Sequence, residues 1–185
     1  NADNFRAYNS LIILLIKQGK LTAAQQRIEV GLKHFDNSVQ LVVLKAALKL
    51  AEGKFEQAIA LQKEALTLFE ISPPPGESFI RKSDLLYNLG DMYFAQGYAG
   101  IDRYLQHNQT TDYTFAKKQL ELASKALQQA LVEDPENILI LDEHAKVSFN
   151  QAYLEESAGQ AASYTQAIEA FEWVIHSFTT VPVRL

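Results

Sequence analysis

Apolar and polar positions along the chain fall into blocks that recur. From Tyr8 to Ile16 large apolar residues return at helical spacing, a polar break containing Gly19 interrupts them, and a second stretch carries small residues seven apart, Ala24 and Gly31. The block comes back at a shift of 34: Gly19-Lys20 as Gly53-Lys54, Ala24 as Ala58, Gly31 as Ala65 and Leu32 as Leu66. Seven residues make two helical turns, so each small pair lies on one stripe of a helix, where missing bulk lets a neighbour approach closely. Gly19 and Gly53 suit the left-handed residue that stops a helix. The pattern predicts an all-α chain built of helix pairs, the first two at about 5–38 and 39–72.

Further residues carry a family likeness. Leu86, Leu89-Gly90 and Tyr93 stand at the spacing of the first-helix signature of the tetratricopeptide repeat (TPR) family, which the chain resembles. The segment Gly53-Lys54-Phe55-Glu56-Gln57-Ala58-Ile59 is similar to that family's turn and second-helix start, as is Ala123 with Ala130 and Pro135. The match is irregular. Ile12 replaces a small residue, while Lys45, Lys49, His144 and Ser148 sit at apolar places. A generic up-and-down bundle or another helical solenoid are the competing folds, and neither requires 34-residue offsets. The resemblance adds units at about 83–137 and 138–178, making four pairs and about eight helices in one domain over 1–185, and implies a right-handed superhelix of antiparallel helix pairs, a TPR-like α-solenoid, with a concave groove lined by the first helix of each pair.

The period breaks in three places, near 73–82, 98–118 and 153–162. Gly53 to Gly97 spans 44 residues instead of 34, with Ser72-Pro73-Pro74-Pro75-Gly76 inside the excess. Pro rings hold that segment extended, which predicts a loop and an early start to the next helix at Glu77 or Ser78. If Gly97 is the turn of the third unit, Gly97 to Ala123 takes 26 residues where the first two units take five. The excess holds Tyr98, Arg103, Tyr104, His107, Tyr113 and Phe115 around a polar stretch from Gln106 to Asp112. Those side chains either grip a peptide or pack a lengthened helix hairpin.

Carried over residue by residue, the family's groove places fall on Arg6, Asn9, Ile13, Ile16 and Lys17, then Gln40, Val43, Ala47, Leu50 and Ala51. In the later units they fall on Asp84, Tyr87, Asp91, Phe94 and Ala95, then Leu139, Asp142, Lys146, Phe149 and Asn150. This implies an apolar strip with basic and amide edges, followed by carboxylates among aromatic rings. The fitting partner is a protein or peptide segment with apolar anchors, basic toward the third and fourth units. The family's carboxylate clamp is missing: Asn9, Ile13, Leu44, Asp84 and Asn88 occupy the places that would need Lys, Asn and Arg. The stretch Tyr164 to Phe178 is more apolar than a solvent-facing last helix, which predicts a cover from the tail Val181-Pro182-Val183, from further chain or from a second copy.

Charge divides the chain. The formal net charge is −5, yet residues 1–50 hold seven Lys/Arg against three Asp/Glu, and residues 51–185 hold ten against nineteen. The basic residues are spread at helical spacings instead of concentrated, which argues against nucleic acid. With no Cys, thiol chemistry and Cys-ligated zinc are excluded. The four His lack metal-ligand spacing, Asp142-Glu143-His144 reads as a solvated surface, and neither a phosphate loop nor a nucleophile elbow occurs. No enzyme activity and no cofactor are expected. The longest aliphatic run, Leu11 to Ile16, is far short of the ~20 residues of a membrane span. Asn1-Ala2 looks like a processed end or a scar of expression, which leaves the compartment open between cytoplasmic and, if an export signal was removed, periplasmic. The expected function is a protein-binding scaffold. A regulatory module cut from a larger chain and a self-assembly unit, such as a homodimer, are the alternatives.

Overall fold

The computed structural model describes residues 2–35, 37–72 and 80–180, which form eight α-helices and no strand. They are α1 (Ala2–Lys17), α2 (Leu21–His34), α3 (Val39–Ala51), α4 (Phe55–Ile71), α5 (Lys82–His107), α6 (Thr110–Glu133), α7 (Ile138–Ser157) and α8 (Thr165–Thr180). Residues 73–79 and 181–185 lie outside the described set, and with them the Pro-rich loop, Glu77, Ser78 and the Val181-Pro182-Val183 tail. The chain falls into two compact units, residues 1–85 and 86–185, whose boundary runs through the first turn of α5. Among the described residues no helix is long and apolar enough to cross a membrane.

Three helix stops share one construction. Gly19, Gly53 and Gly159 have φ of 71°, 72° and 68°. Behind each, the next residue's N–H reaches back five residues, from Lys20 to Leu15 O, Lys54 to Lys49 O and Gln160 to Glu155 O. The glycine N–H of each bonds the carbonyl three residues earlier, completing the paired bonds of a Schellman stop. The expectation for Gly19 and Gly53 therefore holds, and Gly159 extends it to the α7–α8 turn. Starts are capped differently: Ser38 Oγ accepts from Leu41 N–H at 3.4 Å, and Asn137 Oδ1 accepts from Leu139 N–H at 3.1 Å.

In the first unit α1 packs on α2, and α3 packs against α1, α2 and α4. Ile12, Ala24, Ile28, Leu41, Leu44 and Leu48 form the core of the first three helices. Each fully buried Ile or Leu there contributes roughly 1.5–3 kcal/mol. Gly31 is what allows α2 so close: a Cβ there would stand 3.0 Å from both Leu41 Cδ1 and Tyr8 Cε1. The Tyr8 hydroxyl crosses the same contact to donate to the Arg27 carbonyl. A second cluster, Val39, Val42 and Ala65, takes in Leu85, whose carbonyl accepts from the buried Gln62 amide at 2.8 Å.

The third helix pair departs from the sequence reading. Gly97 does not make a turn; it lies inside α5, and α5 runs on to His107. The stop is supplied by Asn108, in left-handed conformation at φ 50°. Asn is the other residue that tolerates that region. Gly90, Gly97 and Gly100 instead hold α5 and α6 together. A Cβ at these positions would approach Leu127 Cγ to 2.6 Å, Leu120 Cδ2 to 2.9 Å and the Ala116 Cβ to 3.0 Å. As the glycine number rises the partner number falls, the register of an antiparallel hairpin. The 21 surplus residues have thus become length in both helices. Ile80 and Arg81 precede α5, which begins at Lys82.

Candidate binding face

In the first unit the expected groove residues divide. Asn9 is buried and its Oδ1 has no hydrogen-bond partner; Ile16 packs against the α1–α3 core, and Val43 packs against the cluster of Val39 and Leu85. Ala47 and Leu50 are half-buried, while Ile13 and Lys17 are exposed. The apolar strip at this end is therefore partly spent on the core. Asp84 is committed too. Its carboxylate accepts from the Arg81 backbone N–H at 3.1 Å and pairs with the Arg81 guanidinium at 2.8 Å, fixing the start of α5.

The second unit assembles most of its expected residues. On α5, Tyr87, Asp91, Phe94 and Tyr98 are spaced four, three and four apart and share a face. On α7, Asp142, Lys146, Phe149 and Tyr153 do the same. The starts of the two helices are in electrostatic reach: the field of Lys146 acts on Asp91, and those of Glu143 and Asp142 act on Tyr87. Further along, Leu154 of α7 joins Ile101 and Tyr104 of α5 in one core cluster, with Phe94 packed against it. Both helices thus begin with carboxylates and continue into aromatic rings.

Lys146 is the hinge of the charged end. Its Nζ lies 2.6 Å from Asp142 Oδ2 and 3.3 Å from Glu143 Oε2. The hydrogen bond to Asp142 is the main reason its ammonium is held above the ordinary lysine value. Burial raises the carboxyl of Asp91, with Lys146 opposing, and burial raises that of Glu143 against the same ammonium. Three carboxylates here lean on one half-exposed cation. Among the described residues no group of three or more His, Asp or Glu side chains could hold a metal ion.

Glu143 corrects the expectation of a solvated Asp142-Glu143-His144 surface, since it is only 7% exposed. Its position was readable: it is three residues after Ile140 and four before Val147, both buried, so it lies on the inward stripe of α7. His144 is half-buried, with burial lowering its pKa, and its Nε2 lies 3.4 Å from Ser124 Oγ on α6. The aromatic end gains a residue that spacing did not point to. Tyr164, from the turn before α8, places its ring 5.8 Å from Phe149, whose other neighbour Tyr153 stacks at 6.4 Å with the planes only 3° apart. The Tyr164 hydroxyl donates to Glu156 at 2.5 Å.

The aromatics of the 98–118 stretch mostly build the hairpin. Tyr104 is buried with Tyr113 edge-on at 5.5 Å, and the Tyr113 hydroxyl donates to Gln160 at 2.9 Å. Arg103 lies over the Phe115 ring at 5.2 Å and pairs with Asp112 at 3.1 Å. Only Tyr98 stays exposed among those rings, 6.3 Å from Phe94, and so belongs to the α5 face. A separate cleft of about 290 Å³, with Lys117, Glu121, Ser148, Gln151 and Glu155 in its wall, is crossed by a Lys117–Glu155 pair at 3.5 Å. No family model matches the chain, and no curated protein matches it.

Proposed function

We propose that the chain is a protein-binding module of the TPR-like α-solenoid type, and that the α5–α7 face of its second unit receives a basic, amphipathic segment of a partner protein. The solenoid reading is supported by the 34-residue offsets, by the Schellman stop at three of the four pairs, and by the packing of α2 on α3 and of α6 on α7. No catalytic constellation enters it. The observation that carries the binding assignment is the charge imbalance around Lys146: Asp91, Asp142 and the buried Glu143 share one ammonium, beside the exposed Phe149, Tyr153 and Tyr98. A Lys or Arg of the partner completes the neutralisation, and its apolar residues cover the rings. Guanidinium or ammonium over an aromatic face adds about 0.5–1 kcal/mol at such exposed positions.

The test is fluorescence anisotropy with a labelled peptide of about 15 residues that places Lys/Arg on one helical face and Leu on the other. The expected result is saturable binding that weakens with salt. Asp91→Asn with Asp142→Asn should weaken it about tenfold, the equivalent of about 1.4 kcal/mol. A peptide with Glu for Lys/Arg that binds equally well, or indifference to the double substitution, refutes the assignment.

A further inference from the structure

Within each unit the second helix of one pair packs on the first helix of the next. Gly31 of α2 is seated on Leu41 of α3, and Ser124 of α6 meets His144 of α7. The first and last helices of the chain carry apolar stripes that nothing among the described residues covers. On α1, Leu11 and the 51%-exposed Leu14 are one turn apart, on the side away from Ile12 and Ile16. On α8, Ile168 and Ile175 are two turns apart, 56% and 63% exposed, about 100° around the helix from the buried Ala167 and Val174.

The helices that carry these stripes differ in charge. α1 holds Arg6 and Lys17 against Asp3, and α2, which packs on it, holds Arg27 and Lys33 against Glu29. The helix α8 holds Glu169 and Glu172 and no Lys or Arg. Lys17 is one turn beyond Leu14, and Glu172 lies between Ile168 and Ile175 on their side of α8. Pairing α1 with α1 opposes like charges, as does pairing α8 with α8; pairing α1 with α8 neutralises both and buries the two stripes together.

We propose that a second copy of this chain covers the α1 stripe with its α8 stripe, continuing between molecules the second-helix-on-first-helix packing found inside each unit. Such a contact is heterologous. Each copy that joins still offers one free stripe of either kind, so association continues unless it closes.

The experiment is sedimentation velocity with light scattering on the 185-residue chain across a concentration series. The mean mass should rise from the 20.8 kDa monomer to at least twice that, and fall back as salt screens the charges. Leu14→Glu and Ile175→Lys should each be monomeric alone, with circular dichroism melts confirming that the helices are intact. Mixed in equal amounts they should form a dimer and nothing larger, because the first retains its α8 stripe and the second its α1 stripe. Leu11→Glu and Ile168→Lys provide a second pair with the same expectation. A chain monomeric at every concentration overturns the proposal. So does self-association that survives in Ile175→Lys or in Leu14→Glu alone, because the contact would then join like faces.

Discussion

Gly90→Ala tests the α5–α6 hairpin at its tightest point. Alanine is worth about 1 kcal/mol more than glycine inside a helix, so propensity alone predicts a more stable protein. The contact predicts the opposite. A Cβ at residue 90 would stand 2.6 Å from Leu127 Cγ, 2.8 Å from its Cδ2 and 3.4 Å from the Ala123 carbonyl oxygen. Carbon atoms prefer about 3.5–4.0 Å, so the helices must part by about 1 Å or Leu127 must leave its rotamer. Leu127 has no exposed surface to swing into. Overpacking of this kind costs about 1–3 kcal/mol, leaving a net loss of up to about 2 kcal/mol after the propensity gain. For a chain of this length that lowers Tm by up to about 8 °C. Thermal and urea denaturation should be run on Gly90→Ala, on Leu127→Ala and on the double variant. Once Leu127 is shortened the clash is gone, and Gly90→Ala should stabilise that background by up to about 1 kcal/mol. Stabilisation by Gly90→Ala in the native background, or the same loss in both backgrounds, refutes the reasoning.

Other perturbations address single features. Lys146→Met leaves Asp91, Asp142 and Glu143 without their shared cation and should cost about 1–2 kcal/mol, less than a fully buried pair because the ammonium is half in water. Burial raises the Asp91 and Glu143 carboxyls, so the folded chain takes up protons before the unfolded one does, and the destabilisation they cause is present at neutral pH and relieved as pH falls through their folded values. The gap between Lys146→Met and the parent chain in urea melts should therefore narrow on acidification; a gap that widens contradicts the assignment. Asn108→Gly should leave stability level or up to about 1 kcal/mol higher, whereas Asn108→Val should lower it by more than 1 kcal/mol, since residue 108 is left-handed; equal melts for the two would contradict that. Gln62 is fully buried with its amide on the Leu85 carbonyl, so Gln62→Glu should lower Tm strongly at neutral pH, while Gln62→Met stays within about 2 kcal/mol of the parent.

The helices and their pairing were legible because backbone constraints write themselves into residue identity. A left-handed stop needs Gly19 or Gly53, and a close helix contact needs Ala24, Gly31, Ala58 or Ala65, at the same offset each time. The same economy misled at Gly97. Glycine serves both a helix stop and a helix contact, and sequence gives the residue without saying which; Asn108, in a polar stretch, was the stop. The face of the second unit was legible as direction but not as depth. The family's groove places, carried over by resemblance, put Tyr87, Asp91, Asp142 and Lys146 on matching faces, and the structure brings them into one electrostatic cluster. That Glu143 lies buried beside Lys146 depended on how far α7 sinks against its neighbours, which periodicity hinted at through Ile140 and Val147. Tyr164 could not be found by helical spacing, since a turn delivers it to Phe149.

The most direct measurement of the binding assignment is an NMR titration of the ¹⁵N-labelled chain with the unlabelled basic amphipathic peptide. Shift changes should concentrate on Tyr87, Asp91, Tyr98, Asp142, Glu143, Lys146 and Tyr153, saturate together, and disappear when the peptide's Lys and Arg are replaced by Glu. Changes centred on other helices, or a spectrum the peptide leaves unmoved, would contradict a carboxylate and aromatic binding face on α5 and α7.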